Sequence, residues 1–315
     1  MKKFYSVDDV ADLDELIQTA IRMKNNPNEF AEVGKNKLIV LLFFNPSLRT
    51  KLSTQKAAMN LGMQVIPMDM SRSWGWEFED GIKMEFDTAE HVKEAANVIS
   101  RYADIIAIRS FPGLKDKEKD YADSVVKQFI RYCPKPVINL ESAIRHPLQS
   151  FADLMTITEH VSVEKPKIVL SWAPHPKALP QAVSNSFLEW MKAAGHQVTV
   201  THPEGYELDV EFMDGHEVEH NQDLALKDAD VVYVKNWSSV KSYGQILSQD
   251  SNWTITKNKL DLTNKAKLLH CLPVRRNVVL ADDAIDSDHS VIYDLAENRL
   301  HTAQAVIYKI LSEVI

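Results

Sequence analysis

The chain has 315 residues, and its 36 Lys and Arg against 44 Asp and Glu give a formal net charge of −8. An acidic chain without a basic stretch argues against nucleic acid or an anionic membrane surface as the main partner. It holds only nine glycines, no two closer than six residues, which excludes the glycine-rich phosphate loops G-x-G-x-x-G and G-x-x-x-x-G-K-[ST].

The first half of the chain alternates predicted helices and strands. A helix is predicted from Val7 to Met23 with Ser6 as its N-cap, because the apolar residues of this segment share one face. The continuous apolar segment from Lys37 to Phe44 predicts a strand buried on both faces. The same alternation continues with a helix at 47–61, a strand at 64–68, a helix at 90–101, a strand at 105–108, a helix at 120–132 and a strand at 136–140.

The second half repeats the pattern after a connecting helix at 148–160. Its predicted elements are a strand at 167–172, a helix at 179–194, a strand at 196–201, a helix around 224, strands at 231–234 and 268–271, and a last helix at 298–314. Such alternation predicts parallel sheets with helices on both faces. We therefore expect an α/β fold of two doubly wound domains, with an active-site cleft between them. Residues 1–150 form the first domain, onto which the C-terminal segment 298–315 packs back, and residues 151–297 form the second.

Polar residues that follow the predicted strands are the first candidates for a site, because ligands of such folds bind beyond the carboxyl ends of the strands. Ser47-Leu48-Arg49-Thr50 follows the strand that ends at Phe44 and begins a helix. Free N–H groups and the helix dipole favour an anion there, and an arginine adds a bidentate phosphate contact. A serine N-cap beside surface cations explains this segment equally well.

Other strand ends have the same character. The polar and charged residues that follow them are Arg109, Glu141, Arg145, His146 and Gln149 in the first half, and His175, Lys235, His270, Arg275 and Arg276 in the second. A single arginine or histidine of this kind is usually structural. Cations gathered at strand ends of both halves, in a chain of net charge −8, predict an anionic small-molecule substrate.

The segment from His216 to His220 matches H-E-x-x-H, the zinc motif of metalloproteases. That motif requires a helix, because only there do histidines four residues apart share one face. Gly215 precedes the segment, and the alternation around Val218 favours a short strand or a surface loop. We therefore expect no metal site, and a zinc hydrolase that uses these histidines is the least favoured alternative.

The cellular compartment is predicted from three features. Cys133 and Cys271 lie far apart without a C-x-x-C pair, which is typical of a reduced intracellular protein. The first residues lack the apolar segment of a secretory signal. The longest apolar run, Leu38 to Phe44, is far below the ~20 residues of a membrane span. A cytoplasmic protein without membrane association is expected.

Three segments together resemble the aspartate/ornithine carbamoyltransferase family over nearly the whole chain. They are Ser47-Leu48-Arg49-Thr50, His146-Pro147-Leu148-Gln149 and His270-Cys271-Leu272-Pro273, in this order. The first two match the carbamoyl-phosphate motifs of the family. The resemblance implies that the domain 1–150 binds carbamoyl phosphate and that the domain 151–297 binds the amine acceptor.

Departures from the ornithine enzymes indicate the acylornithine branch of the family. The Ser-Met-Gly loop that grips the free α-amino group of ornithine is missing, and a neutral acylated nitrogen needs no such partner. Lys235 and Arg275 suit the remaining carboxylates. Ala89 stands where succinyl enzymes have Pro and acetyl enzymes have Glu, and it does not repel a succinyl carboxylate. The resemblance thus implies carbamoyl transfer to the δ-amine of N-succinyl-L-ornithine in arginine biosynthesis; N-acetyl-L-ornithine is the alternative acceptor, and free ornithine is less favoured.

The resemblance also implies roles for individual residues. Those expected to bind carbamoyl phosphate are Ser47, Leu48, Arg49, Thr50, Trp74, Arg109, His146, Gln149, Cys271, Leu272 and Arg299. Those expected to bind the acylornithine are Glu141, His175, Lys235 and Arg275, with Ala89 beside the acyl group.

By the same resemblance, Arg109, His146 and Gln149 polarise the carbamoyl C=O, and Cys271 contributes its backbone rather than a nucleophilic thiol. No cofactor and no metal are expected. The chain is expected to form a homotrimer with active sites at the subunit interfaces, where Trp74 of a neighbouring subunit closes over the phosphate.

Overall fold

The computed structural model describes residues 1–85 and 87–314, which divide into two compact units. The first unit comprises Met1–Pro112, Glu118–Leu148 and the chain from Arg299 onward, and the second comprises Gly113–Lys117 and Gln149–Asn298. These bounds differ from the predicted domains by the short segment 113–117 and by residues 149, 150 and 298. The last residue of the predicted segment 298–315, Ile315, lies outside the described residues.

The first unit is built on a sheet of five parallel strands in the order β1-β7-β6-β2-β3. The strands of this unit are β1 (Lys3–Phe4), β2 (Leu38–Phe43), β3 (Gln64–Asp69), β4 (Gly75–Glu77), β5 (Thr88–His91), β6 (Ile105–Arg109) and β7 (Val137–Glu141). Every residue of β6 and β7 is buried, as is β2 from Ile39 onward, which confirms the reading of these apolar runs as strands covered on both faces. Strands β4 and β5 form a separate parallel pair that was not predicted.

The first predicted helix is shorter than expected. Ser6 caps only a 3₁₀ turn at Val7–Asp9, and helix α1 begins at Leu13 and ends at Asn25. Asp12 accepts a hydrogen bond from the Glu15 N–H and so starts the new helix. A second capping residue inside an amphipathic segment therefore divides it into two elements.

The other helices of this region are α2 (Arg49–Asn60), α3 (Val92–Tyr102), α4 (Lys117–Ala122), α5 (Ser124–Tyr132) and α6 (Pro147–His160). The single helix predicted at 120–132 is two helices, because Asp123 adopts a left-handed conformation with φ of 52°. The boundary between the two units at Leu148 and Gln149 falls inside α6. Because this boundary lies inside a helix, no linker-like composition marks it in the sequence.

The pairing of β6 with β7 contains an irregularity at its carboxyl end. Ile108 lies opposite Asn139, but Arg109 lies opposite Glu141, so Leu140 is skipped. A bulge of this kind redirects side chains locally. It places two opposite charges side by side at the edge where ligands bind in parallel α/β sheets.

The second unit is built on a parallel sheet in the order β10-β9-β8-β11-β12. Its strands are β8 (Ile168–Trp172), β9 (Val198–Thr201), β10 (Glu217–Val218), β11 (Val231–Lys235) and β12 (Lys267–Leu269). The helices from here on are α7 (Ala182–Ala193), α8 (Val210–Met213), α9 (Gln222–Leu226), α10 (Lys257–Leu260), α11 (Asp282–Ile285) and α12 (Ile292–Val314). The predicted parallel α/β architecture is confirmed in both units.

Helix α12 begins six residues before the predicted start at residue 298, since Ile292 and Leu295 are also buried along it. Among the described residues, no helix is both long enough and apolar enough to cross a membrane.

Candidate active site

Arg109, the last residue of β6, is held rigidly at the carboxyl end of the first sheet. Its Nε donates to Glu141 Oε2 at 3.0 Å, and its Nη1 donates to the carbonyl oxygens of Asn45 at 3.0 Å and Pro46 at 2.9 Å. The Phe111 ring lies 4.0 Å from the guanidinium carbon. Among the described residues Nη2 has no hydrogen-bond partner, so its two N–H groups remain donors for a ligand. The guanidinium is thus oriented in advance for an anion.

Glu141, the last residue of β7, joins Arg109 to His146. Its Oε2 is 3.0 Å from Arg109 Nε and 3.5 Å from His146 Nε2, and all three side chains are buried. Glu141 was predicted to bind the acylornithine, but its carboxylate contacts two residues predicted to bind carbamoyl phosphate. In the structure its carboxylate orients Arg109 and sits beside His146.

The predicted anion segment 47–50 begins helix α2, as expected. The N-cap residue Leu48 forms no side-chain capping hydrogen bond, and the N-terminal turn of a helix favours an anionic ligand. Thr50 Oγ1 accepts a hydrogen bond from Arg299 Nη2 at 2.6 Å, which directs the hydroxyl proton of Thr50 elsewhere. Ser47, Leu48 and Lys51 line an adjoining cavity of about 340 Å³. This end of α2 therefore combines N–H groups, hydroxyls and cations.

Trp74 and Ala89 lie together at the small β4–β5 pair. Trp74 is 62% exposed, and its indole Nε1 donates to Glu90 Oε2 at 3.0 Å. Ala89 precedes Glu90 on β5 and is also exposed. The hydrogen bond of Trp74 thus goes to the segment that carries Ala89, and not to the residues at the start of α2.

In the second unit, Gln149 has its amide nitrogen engaged by a buried carboxylate. Gln149 Nε2 donates to Asp153 Oδ1 at 2.8 Å, one turn further along α6. Gln149 Oε1 is buried and has no hydrogen-bond partner among the described residues. Gln149 was predicted to polarise the carbamoyl C=O, which requires a donor. The atom that it has available is instead an acceptor.

Cys271 and Leu272 follow β12 in an irregular conformation. Leu272 has a positive φ of 53°, and its N–H donates to His270 Nδ1 at 2.8 Å. The Cys271 side chain lies beside the Tyr233 hydroxyl, whose pKa is raised well above its ordinary value by burial and by the neighbouring Asp153 and Cys271. The backbone of this segment is therefore fixed at the end of the second sheet.

The three candidates for acylornithine binding in the second unit lie together, and two of them, Lys235 and Arg275, are cations. Arg275 Nε donates to His175 Nε2 at 3.0 Å, and Lys235, the last residue of β11, is close enough to affect the His175 titration. The neighbouring Arg276 is different, because it forms ion pairs with Asp282 and Asp286. Among the described residues, Lys235 and Arg275 form no ion pair with a carboxylate. Both cations are thus available to an anionic ligand.

The contact of Arg275 with His175 predicts an acid-side pH dependence. Burial and the nearby Lys235, Arg275 and Lys177 lower the pKa of His175, so the ring is neutral near pH 7 and accepts from Arg275. Protonation, which begins only below the ordinary histidine pKa, turns that acceptor into a donor and adds a repelling charge. The KM for the amine acceptor is expected to rise on acidification through this lowered pKa, and the rise should disappear in His175→Asn.

His196→Asn is the matched control for this experiment. Burial also lowers the pKa of His196, but this residue precedes β9, and the hydrogen bond of Arg275 goes to His175 instead. The His196→Asn variant should keep the wild-type dependence on pH of the KM for the amine acceptor. Because the unfolded chain binds the proton more tightly at both histidines, stability also falls on acidification at each. A KM profile unchanged by His175→Asn would contradict the assignment.

The H-E-x-x-H segment does not have the geometry of a zinc site. Glu217 and Val218 form strand β10, in agreement with the predicted strand or loop. His216 Nδ1 accepts from the Val198 N–H at 3.1 Å, and His220 Nδ1 lies 3.0 Å from the His202 carbonyl oxygen. The two histidines thus contact the backbone of the neighbouring β9 region.

Several groups at this site were missed by the sequence reading. The contact of Asp153 with Gln149 could have been predicted, since Asp153 lies four residues after Gln149 on a predicted helix. The carbonyl groups of Asn45 and Pro46, which hold Arg109, had no signal because every residue carries a carbonyl. Tyr233 reads as an ordinary apolar residue of a buried strand.

Comparison with known proteins gives the family. The model of the aspartate/ornithine carbamoyltransferase carbamoyl-P binding domain matches residues 2–159, and the model of the Asp/Orn binding domain matches residues 180–310. The chain is 46% identical over 317 residues to an N-succinylornithine carbamoyltransferase of Bacteroides fragilis (strain 638R), and the alignment covers 100% of both proteins.

Two more distant relatives agree. An N-acetylornithine carbamoyltransferase of Xanthomonas axonopodis pv. citri (strain 306) is 38% identical over 325 residues, covering 96% of this chain and 94% of that protein. The crystal structure of an acetylornithine transcarbamylase complexed with acetylcitrulline has a TM-score of 0.94 at 37% identity, covering 98% of this chain and 99% of that one. The predicted resemblance is confirmed: the chain belongs to the aspartate/ornithine carbamoyltransferase family.

Proposed function

We propose that the protein transfers the carbamoyl group of carbamoyl phosphate to the δ-amine of N-succinyl-L-ornithine, in arginine biosynthesis. The products are N-succinyl-L-citrulline and phosphate. The observation that carries the transfer step is the buried Arg109–Glu141–His146 group next to the uncapped start of α2. It offers a fixed guanidinium group and the N-terminal turn of a helix to one phosphoryl anion.

The proposed chemistry needs no covalent intermediate. The neutral δ-amine attacks the carbamoyl carbon, a C–N bond forms, and the C–O bond to phosphate breaks. Arg109 and His146 stabilise the negative charge that develops on the carbamoyl oxygen, while Ser47, Arg49, Thr50 and the α2 N–H groups stabilise the departing phosphate. The proton lost by the amine is taken up by the phosphate. Holding both substrates in order supplies a further part of the rate.

The choice of N-succinyl-L-ornithine as the substrate that accepts the carbamoyl group rests on the cations of the second unit. Succinylornithine carries an α-carboxylate and a succinyl carboxylate, and Lys235 and Arg275 are two cations without a carboxylate partner among the described residues. The acylated α-nitrogen is neutral and requires no acidic partner. N-acetyl-L-ornithine, with one carboxylate, is the second candidate, and the 38%-identical relative named for that substrate supports keeping it.

A citrulline-forming assay with three acceptors tests this proposal. With carbamoyl phosphate saturating, kcat/KM is expected to be highest for N-succinyl-L-ornithine, lower for N-acetyl-L-ornithine, and lowest for free ornithine. The Ala89→Glu variant should lower kcat/KM for the succinyl substrate by about tenfold through charge repulsion, and should change that for the acetyl substrate little. If free ornithine were the only one of the three acceptors to be converted, the acylornithine assignment would be wrong.

A matched variant separates charge from size in that experiment. Ala89→Gln adds a side chain of nearly the same volume as Glu without the charge, so it should retain the succinyl preference. Equal losses in both variants would show that bulk, and not charge, acts at this position.

We also propose that the chain assembles as a homotrimer in the cytoplasm. An exposed apolar surface at α2 and the edge strand β3 supports association; it comprises Leu48, Leu52, Met59, Ile66 and Met68. Exposed apolar patches and uncovered edge strands are typical of interfaces. Sedimentation equilibrium should give three times the mass of one chain, and a monomer would contradict the proposal.

A further inference from the structure

A buried polar pair in the second unit is not used by the chemistry described above. The side chains of Asp153 and Tyr233 are both fully buried. Burying a carboxylate costs free energy unless hydrogen bonds compensate for the lost water. Asp153 accepts from Gln149, and the Tyr233 hydroxyl lies beside both Asp153 and Cys271. The pair therefore touches two residues for which a carbamoyl contact is expected.

The hydrogen bond between Gln149 and Asp153 determines which way the glutamine amide faces. An ionised carboxylate can only accept, so it selects Nε2 of Gln149, the donor, at 2.8 Å. Gln149 Oε1 then points to the other side of the amide, where it is buried without a hydrogen-bond partner among the described residues. A buried carbonyl oxygen without a donor is costly, which indicates that a ligand supplies the donor.

We propose that Asp153, supported by Tyr233, is a positioning residue that fixes Gln149 Oε1 as the acceptor for the NH₂ group of carbamoyl phosphate. This inference rests on the proposed function. It assigns to Asp153 the discrimination between carbamoyl phosphate and acyl phosphates such as acetyl phosphate, in which a methyl group replaces the NH₂. A site built to accept a ligand N–H rejects the analogue that lacks it, because its own acceptor is then left unpaired.

The environment of Tyr233 supports this orientation. Burial, followed by the neighbouring Asp153 and Cys271, raises the pKa of Tyr233, so its hydroxyl keeps its proton beside the Asp153 carboxyl group, to which it forms no hydrogen bond within geometric limits. A protonated phenol adds no negative charge next to Asp153, whose Oδ1 accepts from Gln149 Nε2 at 2.8 Å.

The test compares the KM for carbamoyl phosphate with the inhibition constant of acetyl phosphate. Asp153→Ala is expected to raise the KM for carbamoyl phosphate about tenfold, the scale of one lost hydrogen bond, and to leave the acetyl phosphate constant within about twofold. Asp153→Asn retains an acceptor for Gln149 Nε2 and should stay within about threefold of wild type for both ligands. An effect of Asp153 that was only structural would weaken both ligands alike.

A double-mutant cycle isolates the path through the glutamine. Gln149→Ala alone should abolish the discrimination between carbamoyl phosphate and acetyl phosphate. Adding Asp153→Ala to it should not change further the ratio of the KM for carbamoyl phosphate to the inhibition constant of acetyl phosphate. A further loss in the double variant would show that Asp153 does not act through Gln149. If Asp153→Ala does not fold, Tyr233→Phe, which removes only the hydroxyl, is expected to lower the discrimination about threefold. An unchanged ratio in Tyr233→Phe would overturn the proposal.

Tyr206→Phe is the matched control. Tyr206 is another buried tyrosine of the second unit, but its hydroxyl accepts from the backbone N–H groups of Leu247 and Ser248. Its variant should keep the discrimination ratio of the wild type. If wild type itself shows no preference for carbamoyl phosphate, the proposed function fails. If wild type shows the preference and Asp153→Ala retains it, only the role of Asp153 fails.

Discussion

Replacing Arg109 by lysine is expected to lower kcat/KM by about 10²- to 10³-fold, the range for losing one donor to developing charge. Lysine keeps the positive charge beside Glu141, so the buried pair and the fold should survive. A single ammonium cannot reproduce the planar guanidinium, which donates to Glu141, to two carbonyl oxygens and still presents Nη2. Steady-state kinetics with carbamoyl phosphate as the varied substrate measures the effect.

Arg131→Lys is the control for this variant. Arg131 pairs with Asp80 on the surface, where its side chain is 65% exposed. An exposed pair of this kind contributes little, and activity should be unchanged. An Arg109→Lys enzyme within about threefold of wild-type kcat/KM would show that charge alone suffices at this position.

Replacing Glu141 by glutamine is expected to lower the free energy of unfolding by about 3 kcal/mol. The change neutralises a carboxylate that both Arg109 and His146 contact, and it leaves a buried guanidinium without this counter-charge. Because Glu141 also orients Arg109, kcat/KM should fall together with stability. Thermal and urea unfolding, followed at a signal from the first unit, measure the loss.

Glu32→Gln is the matched change at an exposed ion pair. Glu32 lies 2.8 Å from Lys35 with 78% of its side chain exposed. Solvent screens such a pair, so the variant should stay within about 0.5 kcal/mol of wild type. Equal destabilisation by the two variants would mean that the burial of Glu141 has no special effect.

The position of the candidate site was predictable because parallel strands that are buried on both faces appear in the sequence as continuous apolar runs. Arg109, Glu141 and Lys235 are the last residues of β6, β7 and β11, and each follows an apolar run that was read as a strand. Since ligands of such folds bind beyond the carboxyl ends of the strands, polar residues at these points were the natural candidates. The motifs then connected them to one family.

The individual contacts of these residues were not predictable from the sequence. Arg275 and Arg276 are adjacent and chemically identical, and only their contacts with His175 and with Asp282 and Asp286 distinguish them. Whether the donor or the acceptor of the Gln149 amide is available likewise depends on a partner. Such roles are set by side-chain pairing, often between residues far apart in the chain, which periodicity and composition do not reveal.

The skipped residue at the end of β7 bears on how the family's sequences tolerate insertions and deletions. Arg109 meets Glu141 only because Leu140 drops out of register; in a regular ladder its opposite residue would be Leu140. Deleting Leu140 would leave Arg109 opposite Glu141 in a regular ladder, whereas regular pairing at unchanged length would put Leu140 there and separate the two charges. Conservation of an arginine and a glutamate in an alignment is therefore insufficient evidence that a relative retains this site, and the pairing register of the two strands must be kept as well.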